Sequence, residues 1–108
     1  MIVQLQRRNQ RYPDLSPRQP YVVIGIEADD LRILNDHGQP YVYPHHLFKI
    51  VDAREPTEWV TEVGEDGERY AYPQPLNAVG FFEDYFDGDR RAVATFWRLV
   101  NGQLAAAV

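Results

Sequence analysis

Several residue types that catalytic sites depend on are scarce or missing in this sequence of 108 residues. Cysteine is absent, which excludes disulfides, thiolate metal sites and thiol nucleophiles. The single serine, Ser16, lies in a proline-rich segment without the Gly-x-Ser-x-Gly pattern of a nucleophile elbow, and the single lysine, Lys49, lies in a predicted strand. No glycine-rich segment has the lysine and the strand-to-helix context of a phosphate-binding loop. We therefore expect a protein that is not an enzyme and uses no cofactor.

The histidines and the acidic residues do not have the spacing of a metal site. His45 and His46 are adjacent, so their side chains point apart in most conformations, and His37 lies in a predicted turn. The acidic run at residues 81–89 fails as a calcium loop because Ala94 would occupy the closing ligand position. We expect no bound metal.

Long hydrophobic runs are missing as well. The longest, at residues 21–26, has the length of a strand and is far too short to span a bilayer. The first residues have no continuous apolar stretch before their arginines, so they do not match a secretory signal. We expect a soluble, cytoplasmic protein that does not bind membranes.

The apolar pattern of the first part of the chain has the period of β-strands. Gly25, within the clearest apolar run, predicts a bulge or a sharp bend, and residues 35–38 are a strong hairpin signal. Strands recurring at intervals of about ten residues are typical of a small antiparallel barrel. Strands are predicted at residues 1–6, 21–27, 31–34, 39–43, 48–52, 59–63 and 69–72.

The hydrophobic period changes to that of a helix near residue 76. One short helix is predicted over residues 79–87, and Asp89 is a good N-cap for a last helix. The last helix carries an apolar stripe that includes Phe96 and Trp97, and we expect Trp97 to lie in the core.

The segment at residues 21–60 resembles an SH3-like barrel, and the tail with Gly-Phe-Phe-Glu-Asp-Tyr-Phe at residues 80–86 resembles small uncharacterised bacterial proteins in which helices follow such a barrel. We expect an α+β fold: a small SH3-like antiparallel β-barrel with two C-terminal helices. Residues 1–108 are expected to form a single domain, mainly β over 1–72 and mainly helical over 76–108. Some small acidic proteins of this appearance are immunity proteins or accessory modules, so the resemblance implies an immunity-like or regulatory role.

The charge of the chain is concentrated in its middle. The whole chain carries a net charge of −5, whereas residues 52–89 carry eleven acidic residues against two arginines, a net charge of −9. This excludes a general nucleic-acid binder, which needs a basic stripe. Concentrated acidic charge suits a basic protein partner, whose association it accelerates. The alternative interpretation is a solvated surface that keeps the protein soluble.

The sequence therefore predicts a non-catalytic protein-binding module that presents an acidic face to a basic partner. One alternative is an SH3- or Tudor-like reader that binds peptides or modified side chains through exposed aromatics, although these aromatics also suit a barrel core. Another is a small hydrolase or metal-dependent enzyme. The predicted binding residues are two aromatic anchors and six acids: Trp59, Tyr70, Glu65, Asp66, Glu68, Glu83, Asp84 and Asp87.

Overall fold

Seven strands form one antiparallel sheet, described here for residues 1–106 of a computed structural model. The strands are β1 (Ile2–Leu5), β2 (Pro20–Glu27), β3 (Asp30–Leu34), β4 (Pro40–Pro44), β5 (Phe48–Asp52), β6 (Trp59–Val63) and β7 (Arg69–Pro73). One edge of β2 pairs with β3, and its other edge pairs first with β1 and then with β7. The sheet is completed by the pairs β1–β5, β3–β4 and β6–β7. All seven predicted strands are therefore confirmed, and no bound differs from the prediction by more than one residue.

The sheet is open. Because β2 divides one edge between β1 and β7, the strands diverge into two arms, one ending at β5 and the other at β6. Within residues 1–106, β4, β5 and β6 each pair with one neighbouring strand. The predicted α+β class is confirmed, but the closed barrel is not, since no pairing within the described residues joins the ends of the arms to β4.

Gly25 lies at the predicted bulge in β2. The register between β2 and β3 shifts between Val23 and Gly25. The ring of Tyr72 covers Gly25 so closely that a Cβ atom there would lie 2.1 Å from Cε1 of the ring. A residue without a side chain is therefore needed at this position for the tyrosine ring to pack on the sheet.

Two α-helices follow the strands: α1 (Phe81–Phe86) and α2 (Arg90–Ala106). The α1 helix is shorter than the predicted 79–87 because its N-cap, Gly80, has a left-handed backbone with φ of 78°. Asp89 caps α2 as predicted, since its Oδ1 accepts a hydrogen bond of 2.9 Å from the backbone N–H of Ala92. The predicted helical range extends to residue 108, two residues beyond the described part. None of the helices within residues 1–106 is long and apolar enough to cross a membrane.

The sheet and the helices enclose two hydrophobic cores. The first contains residues from all seven strands and from the loop after β1: Val3, Leu5, Leu15, Tyr21, Val23, Ile26, Leu31, Ile33, Tyr43, Phe48, Trp59 and Ala71. The second lies between the sheet and the helices: Ile24, Tyr72, Leu76, Phe81, Ala92, Phe96 and Val100. Alternation along β3 sends Leu31 and Ile33 into the first core and turns Arg32 toward the other face.

The centre of the second core is Phe96, which is fully buried, whereas Trp97 is half-buried and packs against the core from its edge. This corrects the expectation that Trp97 is a core residue.

We expect Phe96→Ala to lower the free energy of unfolding by about 3–5 kcal/mol. Trp97→Ala should cost less, because part of its ring is already in water. Denaturant titration of both variants tests this order, and an equal or greater cost for Trp97→Ala would contradict it.

Candidate functional site

Arg32 is a buried cation in β3, with 7% of its surface exposed. Its Nε donates to the hydroxyl of Tyr72 at 2.7 Å, its Nη1 to the carbonyl of Pro40 at 2.6 Å and its Nη2 to Oε1 of Glu27 at 2.8 Å. The guanidinium carbon also lies 3.6 Å from the ring centroid of Phe82. These four partners belong to β7, β4, β2 and α1, so one side chain connects five elements.

Tyr72 links the cation to its counter-ion. Its hydroxyl accepts from Arg32 and lies 2.8 Å from Oε1 of Glu27, to which it donates. Burial raises the pKa of Tyr72 above its ordinary value, although the charge of Arg32 acts in the opposite direction. The phenol is therefore neutral at physiological pH, and the cluster as a whole combines one positive and one negative charge.

A cleft of about 300 Å³ lies beside this cluster, and its walls include glutamates from three distant parts of the chain. They are Glu27 from β2, Glu62 from β6 and Glu83 from α1. Arg32 offsets the charge of Glu27, while Glu62 and Glu83 are exposed and have no ion-pair partner within residues 1–106. Tyr70, Tyr72 and Phe82 also line this opening, which we term the acidic cleft.

The structure places some of the predicted binding residues in or near the acidic cleft. Glu83 and Tyr70 line it. Glu65 and Asp66 are exposed at the tip of the β6–β7 hairpin. Glu68 is half-buried rather than exposed, because its carboxylate accepts from the backbone N–H of Asp66 at 3.0 Å and from the hydroxyl of Tyr70 at 3.4 Å.

The other predicted binding residues differ in their exposure. Asp84 and Asp87 are exposed on and just after α1. Trp59 is only 9% exposed and belongs to the first core, so it is not a surface anchor. An exposed aromatic pair occurs elsewhere: Tyr41 and Phe86 are 42% and 45% exposed, and their rings stack with centroids 5.4 Å apart.

Sequence reasoning missed Glu27, Arg32 and Glu62. A charged residue that alternates with apolar ones in a strand ordinarily faces solvent. Here the helical layer covers the face that carries Arg32. The apolar stripes of the predicted helices were the available signal, since they must cover a sheet face and therefore bury some of its polar residues.

Comparison of the chain with protein-family models finds no match, and comparisons with curated proteins and with solved structures find no significant similarity. Within the part of the chain described, no group of three or more histidine or carboxylate side chains is arranged to hold a metal ion.

The buried tyrosines give the protein a defined response to alkaline pH. Burial and a hydrogen bond to Asp36 raise the pKa of Tyr21 to about 12, and burial raises the pKa values of Tyr43 and Tyr72. The raised pKa values mean that the folded state favours the protonated tyrosines. Their contribution to the free energy of unfolding is therefore fully present below the ordinary tyrosine pKa of about 10, and it is lost as the pH rises toward the pKa values of the folded state.

We therefore expect the free energy of unfolding to fall as the pH is raised above about 10. Tyr72→Phe, which cannot ionise, should make this fall less steep while lowering stability at neutral pH by about 1.5–3 kcal/mol, because it loses hydrogen bonds to the charged side chains of Arg32 and Glu27. Denaturant midpoints measured across this pH range test the expectation. An identical pH dependence in the wild type and the variant would show that Tyr72 does not contribute to it.

Proposed function

We propose that this chain acts in the cytoplasm as a non-catalytic protein-binding module that presents an acidic face to a basic protein surface, in an immunity-like or regulatory role. The observation that carries the proposal is the acidic cleft. Glu62 and Glu83 come from elements far apart in the sequence, line one opening and have no ion-pair partner within residues 1–106. An arginine or lysine of a partner would supply the missing charge.

The surface charge on α1 supports a basic partner. Glu83 and Asp84 lie in the first turn of α1 and Asp87 is its C-cap, so three exposed carboxylates lie within residues 83–87 and repel one another. Binding of a cationic surface would relieve this repulsion. The same charges would accelerate association at low ionic strength, because a concentrated field steers an oppositely charged partner.

The aromatic pair of Tyr41 and Phe86 supplies a candidate anchor for the same interface. Phe86 directly precedes Asp87 in the chain, and both residues are exposed. Arginine side chains bind such combinations well, because the guanidinium stacks on an aromatic face while it pairs with a carboxylate. In this proposal Tyr41 and Phe86 replace Trp59 as the aromatic contact.

The stacked pair also favours a second candidate function, an SH3- or Tudor-like reader of peptides or modified side chains. The likeness to an SH3-like barrel followed by helices belongs to this second proposal. An aromatic cage for a methylated cation needs rings on several sides of the ligand. Tyr41 and Phe86 stack on each other with only 28° between their planes, so we prefer the acidic face.

The test begins with a partner captured from native lysate and identified by mass spectrometry, and then compares its association rate with matched variants. Glu62→Gln/Glu83→Gln removes two charges from the acidic cleft, and Asp29→Asn/Glu58→Gln removes two exposed charges outside it. We expect the cleft variant to associate about tenfold more slowly at low ionic strength and to lose much of its salt dependence, while the control stays close to the wild type.

Phe86→Ala tests the contribution of the aromatic anchor separately from that of the acidic side chains. It should leave the association rate unchanged and accelerate dissociation, with a loss of about 2 kcal/mol or more in binding free energy. If the cleft variant associates at the wild-type rate at low ionic strength, its carboxylates form only a solvated surface and the proposed function is wrong.

A further inference from the structure

The buried face of α2 contains one polar residue, Gln103. The other buried residues of this helix are Ala92, Phe96 and Val100. Gln103 is 6% exposed, and neither its Nε2 nor its Oε1 has a hydrogen-bond partner within residues 1–106. An unpaired buried carboxamide destabilises a fold, and most buried polar side chains are paired. Methionine would fill the same space without this cost. The packing of the helix therefore does not explain why a glutamine occupies this position.

Two clefts meet at Gln103. The first, of about 450 Å³, is bounded on its apolar side by Ile24, Leu34 and Val100. The second, of about 480 Å³, extends toward the loop at residues 54–58. Gln103 lines both of them, and so does Val22 of β2. Gln103 is therefore a buried polar residue shared by two adjoining clefts, each lined by polar as well as apolar side chains.

We propose that Gln103 is the central binding residue of a groove that takes the main chain of an extended peptide. A carboxamide offers a donor and an acceptor side by side, and so does a peptide chain through its N–H and C=O groups. Leu34 and Leu104, which are half-buried and line the first cleft, would contact a neighbouring apolar side chain of the peptide. Because the polar atoms of Gln103 are covered, the side chain has to rotate to meet the ligand, and the clefts on both sides leave space for that rotation.

A nucleobase also presents a donor and an acceptor side by side, but the charge around the groove argues against a nucleotide. Asp36 lines the first cleft, where its carboxylate accepts hydrogen bonds of 2.6 Å from the hydroxyls of Ser16 and Tyr21. The second cleft is lined by three carboxylates against one cationic side chain: Asp52, Glu55, Glu58 and Arg54. Carboxylates in both clefts would repel phosphate groups and do not repel a neutral or basic peptide.

The peptide groove is separate from the acidic cleft. None of the residues that line the clefts at Gln103 lines the acidic cleft. The inference therefore does not rest on the proposed function, and either one can fail without the other.

Nuclear magnetic resonance titration with defined probes tests the groove. The main probe is N-acetyl-leucine methylamide, which carries a peptide main chain and one apolar side chain. N-acetyl-leucine methyl ester lacks one N–H donor, and adenosine tests the nucleobase alternative. The variants are Gln103→Met, which removes the carboxamide, and Gln74→Met, which removes an exposed glutamine outside both clefts.

We expect the methylamide to cause saturable shifts in the side-chain amide signal of Gln103 and in the methyl signals of Ile24 and Val100. The ester should bind about tenfold more weakly. Gln103→Met should abolish methylamide binding, whereas Gln74→Met should retain it. Gln103→Met should also melt at a higher temperature than the wild type, since it no longer buries unpaired polar atoms; this shows that the fold is intact.

Four binding results would overturn the inference. They are the absence of saturable shifts with the methylamide, equal binding of the ester, binding of adenosine in preference to the methylamide, and unchanged methylamide binding by Gln103→Met. A lower melting temperature of Gln103→Met would overturn it as well, because it would show that the carboxamide is paired within the fold.

Discussion

The guanidinium of Arg32 joins the sheet to the helical layer, and the geometry of the acidic cleft depends on this contact. A cation buried to this extent is tolerated only where its hydrogen bonds and its charge are satisfied, because its desolvation costs several kcal/mol. Arg32 meets this condition through Tyr72, Pro40 and Glu27, and through the ring of Phe82. The planar fork of an arginine fits these partners at once, whereas the single ammonium group of a lysine does not.

The residues packed around Arg32 explain how the wall of the acidic cleft is positioned. The bulge at Gly25 lets the ring of Tyr72 lie on β2, and Tyr72 in turn holds both Arg32 and Glu27. Phe82 fixes α1 over the guanidinium, which brings Glu83, the next residue, to the wall of the cleft. The unpaired negative charge that we propose as a docking surface is thus positioned by an ion pair in which Arg32 is buried and Glu27 is partly exposed.

Local patterns predicted the elements of this fold, and long-range contacts decided the rest. Alternating apolar residues, the hairpin at residues 35–38 and the cap at Asp89 each report on a few neighbouring positions, so the strands and α2 were predictable. The division of one edge of β2 between β1 and β7 depends on pairings between distant parts of the chain. The open form of the sheet could therefore not be predicted from local patterns. The burial of Arg32 and Trp59 depends on the same distant contacts. For the candidate site, the acids of α1 were predictable, but their meeting with Glu62 was not.

Native-state hydrogen exchange of Arg32→Lys tests the central claim most directly, with Arg98→Lys on the exposed side of α2 as the control. Lysine keeps the charge of Arg32 and loses most of its contacts. If Arg32 joins the layers, amide protection in α1 and β7 should fall much further than protection in the β3–β4 hairpin, and the control should match the wild type. Unchanged protection, or a loss spread evenly over all elements, would show that the two layers are held together without Arg32.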